Sequence, residues 1–515
     1  MASANARPAT SLGIDFGTTN SSVALAHADG RMELATFPAA AGPSESFRSV
    51  LYLEQARSAG RTLVKSFTGP AAIEQYVRFH REGAEVKGRL ILSLKSYLSS
   101  RTLTGTEVFG RRYTLEDLVS RMLGDLRLAA EKQFGEPVRH ATVGRPVRFV
   151  GAETAADDLF ALGRLRAAFA QAGFESVAFE LEPVAAARAY EATLDRDQLI
   201  LIGDFGGGTS DFSLLRVGPG IRRRRTRRPG ADGGGTDSAS LLGNAGLGLA
   251  GDAFDALIVR KLVSPALGSD SYERQAGKPA QRTHAARNHA SQINGPKLIP
   301  AVPAWIYANL ERWHYLSFLK TRNVAEILRG ARARAAEPEK IAALVTLIEE
   351  DLGYQLHQAV ERLKVELSQQ QSAVFRFRDG SMEDGSLMIE AEVTRADFER
   401  WIAAELGAIE RCVDGLLAAS GIAADQVDRV FLTGGTSLVP AVRRIFARRF
   451  GERGLAEPTA GAERVVAGNE FTSVARGLAL CGLEASLEQA ESAVPPHGGL
   501  ARGRLRPACE TRPLR

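Results

Sequence analysis

Short apolar runs broken by tight turns open the chain, and apolar residues at helical spacing follow. Residues 12–16 form one apolar run and residues 21–26 another, separated by Gly17, Thr18, Thr19 and Asn20. Asp29-Gly30 precedes a third run at 32–37, which signals a hairpin because glycine accepts the positive φ of such turns. Residues 50–53 predict a further strand. From about 67 to 133 the pattern reads mainly helical, with Leu115, Leu118, Val119, Met122, Leu123 and Leu126 recurring at roughly i, i+3, i+4. Residues 141–143 predict a strand that runs into Gly144-Arg145-Pro146. Helices are expected over 154–172, stopping at Gly173, and from 184 to 192, behind a Pro183 whose fixed φ suits a first helical turn.

The second half repeats this opening. Residues 199–202 are strongly apolar, then come Gly203-Asp204-Phe205, the turn Gly206-Gly207-Gly208-Thr209, and an apolar strand at 212–217. Residues 218–250 are rich in Gly and Arg and predict a mobile loop, with helix resuming at Asp252. Residues 264–300 are polar with little pattern, and 301–372 read mostly helical. Residues 375–377 and 387–393 alternate like paired strands. A helix follows over 394–419, and a strand at 429–432 enters Gly434-Gly435. After about 485 the chain is rich in Pro, Gly and Arg and predicts a disordered tail. Asp15 and Asp204 open two similar strand–turn–strand units 189 residues apart, which predicts two similar α/β halves facing each other across a cleft.

Composition narrows the class. Of 515 residues, 44% are hydrophobic and 24% charged, an ordinary globular balance that argues against collagen, coiled coil and wholesale disorder. No apolar stretch is long enough for a membrane helix, and residues 1–10 show no apolar signal core. Three scattered cysteines exclude a disulfide framework and fit a reducing cytoplasm. The net charge of +5 is local: six of the seven residues from Arg222 to Arg228 are arginine, and the last fifteen residues hold five arginines against Glu510. The arginine run has no aromatic residues between its charges, so it reads as a solvated loop and nucleic acid is not an expected partner.

The two turns are phosphate-loop candidates. Glycine lets backbone N–H groups approach a triphosphate closely, threonine hydroxyls add donors, and an aspartate at the strand end can hold Mg²⁺ directly or through water. One such turn usually just closes a hairpin; two copies with matched Asp and Thr are far more specific. A third element, Gly434-Gly435-Thr436-Ser437-Leu438, opens from a strand into a helix, and its glycines would permit a base or ribose to approach.

These three motifs, in this order, resemble the phosphate-1, phosphate-2 and adenosine motifs of the actin-like ATPase superfamily. Leu12-Gly13-Ile14-Asp15-Phe16-Gly17-Thr18-Thr19-Asn20-Ser21 resembles the opening of the 70-kDa heat-shock (DnaK-type) chaperone ATPase domain. Glu182-Pro183 and Gly251-Asp252-Ala253-Phe254-Asp255 match two further motifs of that family, and Val143-Gly144-Arg145-Pro146-Val147 and the segment around Trp305 and Trp313 look most like its divergent YegD branch. The resemblance spans roughly 11–482. It implies an actin-like ATPase fold with two duplicated ribonuclease-H-like lobes: 1–198, including a helical subdomain at about 41–119, and 199–484, including the loop 218–248 and a mainly helical insert at about 256–385. The basic tail would be 485–515. No strand-rich segment follows, so the family's peptide-binding β-sandwich is not expected.

The resemblance also implies roles. Asp15 and Asp204 would flank Mg²⁺ and its waters, with K⁺ a further candidate ion. Gly17, Thr18, Thr19, Asn20, Gly206, Gly207, Gly208 and Thr209 would hold phosphates. Lys95 would be the active-site lysine, with Lys87 a rival on spacing, and Glu182 the active-site glutamate. Asp204 and Thr209 also join the catalytic set. Gly251, Glu361, Lys364, Ser368, Gly434, Gly435 and Thr436 would hold the nucleoside. The family stacks adenine between two arginines, where this chain has Val365 and Leu438. The expected activity is hydrolysis of Mg-ATP by a monomeric cytoplasmic chaperone-type ATPase working through a protein partner or client. A small-molecule kinase and a non-hydrolysing scaffold of the same superfamily stay open.

Overall fold

A computed structural model of the chain describes residues 10–39, 42–58, 61–82, 88–226, 240–274, 299–311, 319–350, 352–378, 388–451, 465–467 and 473–492. In its first half, Thr10–Phe16 (β1), Asn20–His27 (β2) and Met32–Leu34 (β3) form an antiparallel meander, and Phe47–Arg48 (β4) pairs with β2. An intervening unit holds Val50–Ser58 (β5), Arg61–Thr68 (β6), Gly69–Glu82 (α1), Gly88–Leu92 (β7), Gly105–Val108 (β8) and Arg111–Thr114 (β9). Leu115–Phe134 (α2), His140–Arg145 (β10), Ala155–Gln171 (α3), Ser176–Leu181 (β11) and Glu182–Glu191 (α4) follow. The sheet runs β11-β10-β1-β2-β3, with β10 and β11 parallel to β1.

The second half repeats this topology. Gln198–Phe205 (β12), Ser210–Val217 (β13) and Leu241–Leu247 (β14) form the meander, with Pro219–Thr226 (α5) between the last two. Then come Gly251–Ile258 (α6), Ala304–Leu310 (α7), Arg322–Arg334 (α8), Pro338–Glu349 (α9), Gly353–Gln369 (α10), Ser372–Arg378 (β15), Met388–Thr394 (β16), Arg395–Trp401 (α11), Ala403–Ser420 (α12), Arg429–Thr433 (β17), Pro440–Phe450 (α13), Val465–Ala467 (β18) and Ser473–Ser492 (α14). The sheet order β14-β13-β12-β17-β18 matches the first sheet strand for strand. The registers match too: Phe16 opposes Ser21 and Asp15 opposes Ser22, while Phe205 opposes Ser210 and Asp204 opposes Asp211. The repeat is therefore structural. One detail of the sequence reading changes: the aspartates are equivalent, but Thr209 takes the place of Asn20, not of Thr18 or Thr19.

Each lobe lends a helix to the other. Helix α4 follows β11, yet Val184 and Ala187 pack on Ile200, Ile202, Leu215 and Val217 of the second sheet. Helix α14 follows β18, yet Ala475, Ala479 and Leu483 pack on Ala24 and Ala26 of the first. The two helices cross where a Cβ on Gly477 would lie 1.7 Å from the Ala185 carbonyl oxygen, so only glycine fits there. Residues after 473 thus lie on the first sheet although they fall within the 199–484 division.

Three other expectations change. Segment 41–119 holds more strand than helix among the described residues: β5, β6 and β7 form a sheet whose Val50 and Tyr52 bury against Ala72 and Tyr76 of α1, and β8 and β9 form a hairpin. The strong periodicity belongs to α2 alone, which starts at a capping box between Thr114 and Asp117. Within 218–250, Pro219–Thr226 is helix and Leu241–Leu247 is strand; Gly243 lets α12 approach, since a Cβ there would meet Ser420 Oγ at 2.3 Å. Helix α14 runs to Ser492, past the expected start of the tail. The rest of that tail, the loop centre at 227–239, Lys87 and Trp313 lie outside the described residues.

Candidate nucleotide site

The two hairpin turns meet at the floor of a cleft of about 580 Å³ between the lobes. Turn one is backed by Ser49, whose N–H donates to the Thr19 carbonyl (2.8 Å) and whose hydroxyl donates to the Gly17 carbonyl (2.8 Å). Turn two is backed by the start of α6, where the Asp252 N–H donates to the Gly207 carbonyl at 2.8 Å. The turns approach so closely that a Cβ on Gly207 would lie 2.4 Å from Thr19 Oγ1. Gly434 has φ +83°, and a Cβ there would lie 1.9 Å from the Phe205 carbonyl oxygen, so the third motif packs its backbone against the second turn's strand.

Between the turns sits a buried charge cluster. Lys95 Nζ donates to Glu182 Oε1 at 2.7 Å, with both side chains largely buried. Lys95 lies on a single 3₁₀ turn, Leu94–Tyr97, entered through Ser93 at φ +53°. Glu182 is the first residue of α4, and Gly144 leaves it room, since a Cβ there would meet Glu182 Cγ at 3.0 Å. Burial pushes the Asp15 carboxyl up to about 8, with repulsion from Glu182 and Asp204 added and Lys95 opposing. Burial likewise raises Asp204, which accepts a hydrogen bond from Thr433 Oγ1 at 2.8 Å. Burial and the charge of Asp204 push Asp211 up to about 7, although Thr209 Oγ1 donates to it at 3.0 Å. For Lys95, burial favours the neutral amine, but Glu182, Asp15 and Asp204 outweigh it and hold the ammonium. Four carboxylates around one lysine are short of positive charge, which fits a divalent cation. Among the described residues no three His, Cys, Asp or Glu side chains are grouped to hold a metal by themselves.

The other end of the cleft is built on α10. Glu361, Lys364, Val365 and Ser368 share one face, with Lys364 Nζ 2.7 Å from Asp255 Oδ1. Arg48 of the first lobe reaches Glu361 at 3.6 Å, and Tyr76 of α1 meets Tyr354 of α10 edge to face at 5.7 Å, so contacts cross the cleft mouth.

Every site residue expected from sequence lines this cleft, from Asp15, Gly17, Thr18, Thr19 and Asn20 through Lys95, Glu182, Asp204, Gly206, Gly207, Gly208 and Thr209 to Gly251, Glu361, Lys364, Ser368, Gly434, Gly435 and Thr436. The sequence reading missed Arg48, Asp211, Asp252, Asp255, Tyr354 and Arg443, which line it too. Asp211 was findable, because the hairpin register puts it opposite Asp204. Asp252 and Asp255 stood in a quoted motif, one helical turn apart. Arg48 and Tyr354 carry no local signal.

A family model described as Hsp70 protein matches residues 11–242 and 346–473. The chain belongs to the Hsp70 family. Hsp70 members are in general chaperone-type ATPases that bind ATP with Mg²⁺ and act on client proteins, and the chain has their actin-like ATPase fold. The segment between the two matched stretches includes α6, α7 and α8, so much of the second lobe's helical part lies outside the match. No helix among the described residues is long and apolar enough to cross a membrane.

Proposed function

We propose that the chain binds Mg-ATP in this cleft and hydrolyses it, and that hydrolysis switches the relative angle of the lobes to control a protein partner or client in folding or quality control. The observation that carries this reading is the buried Lys95–Glu182 pair, set between Asp15 and Asp204 at equivalent ends of the two hairpins. Phosphoryl transfer to water depends on positioning and charge neutralisation more than on covalent chemistry. The glycines of both turns would present N–H groups to the phosphates, with Thr18, Thr19 and Thr209 adding hydroxyls. Lys95 would face the transferring phosphoryl group, and Glu182 would orient the attacking water. Asp15 and Asp204 would hold Mg²⁺ through water, with K⁺ a candidate second ion. Mg²⁺ supplies neutralisation of phosphate charge. Glu361, Lys364, Ser368, Gly251, Gly434, Gly435 and Thr436 would hold the nucleoside. Helices α4 and α14 carry the coupling, because each is rooted in one lobe and packed on the other.

The finer placement is that of a YegD-like member, resting on Val143-Gly144-Arg145-Pro146-Val147, of which Pro146 lines the cleft; a monomeric, cytoplasmic protein is the accompanying reading, the compartment argued from three scattered cysteines. ATP turnover by the purified chain, then by Thr209→Ala and Lys95→Ala, tests the site. Unchanged turnover in both variants would sink it. Strong stimulation by one sugar or polyol would point to a kinase instead, and bound nucleotide without turnover to a scaffold. A pull-down with and without ATP identifies partners and tests the switch.

A further inference from the structure

Helix α13 carries four arginines, and three of them are paired with carboxylates: Arg444 with Glu399, Arg448 with Glu410 and Arg449 with Asp414. Arg443 differs. Among the described residues it has no carboxylate partner, and it lines the cleft together with Leu438 and Val365. Its Nε donates to the Ser437 carbonyl at 3.1 Å, which ties the guanidinium to the turn that carries Leu438. Val365 is 50% exposed although aliphatic, so an apolar face stands open in the cleft beside the Lys364 and Ser368 positions. An exposed aliphatic side chain, a leucine and a fixed, unpaired guanidinium together offer what a flat heteroaromatic ring binds. The apolar faces exclude water from the ring, and a planar cation stacks on it.

We propose that Arg443 contacts the base of the bound nucleotide and sets the affinity of this cleft for it. This deepens the reading of the cleft as a nucleotide site and rests on it. The contact acts on the base alone, since Lys95 and the turn glycines serve the phosphates. The probes are therefore Mg-ADP and ribose 5-diphosphate, which is ADP without its base, titrated calorimetrically into the full chain and into Arg443→Ala. Arg443→Ala is expected to bind ADP about three- to tenfold more weakly, the range of a partly exposed guanidinium stack. Its affinity for ribose 5-diphosphate is expected to match the parent's. Arg443→Lys should recover only part of the loss, because an ammonium has no planar face. Arg444→Ala, which breaks only the pair with Glu399, should bind both probes as the parent does. Parent-like ADP binding by Arg443→Ala overturns the proposal, and so does an equal loss for both probes, which would make Arg443 a phosphate contact. If the parent binds neither probe, the nucleotide reading of the cleft fails instead.

Discussion

Replacing Lys95 with methionine separates a chemical role from a structural one. Charges 2.7 Å apart attract by about 6 kcal/mol at an effective dielectric of about 20. Loss of hydration by both buried groups offsets much of this. Removing one partner of such a pair costs about 3–5 kcal/mol, because the other is left buried and uncompensated. Here the uncompensated group is Glu182, with Asp15 and Asp204 adding to the same deficit. Lys95→Met is therefore expected to lose about 3–5 kcal/mol in urea denaturation. The double variant Lys95→Met/Glu182→Gln should regain part of that, since the charge paired directly with Lys95 is removed while Asp15 and Asp204 stay buried. Turnover should behave differently. A lost charge contact to the transferring phosphoryl group lowers single-turnover ATP hydrolysis on the order of 10²–10³-fold, and the double variant should recover none of it. Parent-like turnover in Lys95→Met, or recovery of both stability and turnover in the double variant, would refute the catalytic role.

The other predictions test the frame around the site. Gly477→Ala should cost about 3 kcal/mol or more in thermal unfolding, because its Cβ would overlap the Ala185 carbonyl where α4 and α14 cross. Gly415→Ala, mid-helix in α12 with nothing within 4 Å, should stabilise by about 0.5–1 kcal/mol, and a reversed order would refute the crossing geometry. The Asp252 carboxyl is pushed up to about 6 from 3.8, by burial first and by repulsion from Asp255 second. Between roughly pH 4 and 6 the native chain holds this proton and the unfolded chain does not, so stability falls by up to about 3 kcal/mol as pH rises through that window. Asp252→Asn should flatten that part of the pH–stability curve; an unaltered slope contradicts the assignment. Tyr354→Ala removes the edge-to-face contact with Tyr76 across the cleft mouth, and should speed release of a fluorescent ADP about two- to tenfold in a displacement experiment. Release at the parent rate would show that this contact does not hold the lobes together.

Legibility followed the range of the forces involved. The turns at Gly17–Asn20 and Gly206–Thr209 were readable because glycine between apolar runs is a local constraint. Helices such as α2 were readable from their period and capping residues. The helical pattern expected over about 67–133 holds for α1 and α2 but not for β7, β8 and β9 between them, whose strands are too short to show a period of their own. Strand β14 has no readable strand pattern because its glycines, Gly243 facing α12 and Gly246 facing Asp211, look like a loop.

The sequence by itself determined the duplicated strand–turn–strand units, the chemistry at their ends and the family resemblance, since each is written in residues a few positions apart. Tertiary structure alone decided that Lys95 faces Glu182, that Arg48 reaches Glu361, that α4 and α14 change lobes, and that Arg443, tied to the Ser437 carbonyl, has no carboxylate partner among the described residues. These depend on which apolar faces bury together and which charges lose their water. Such outcomes are set by packing among segments up to hundreds of residues apart, and no local pattern encodes them.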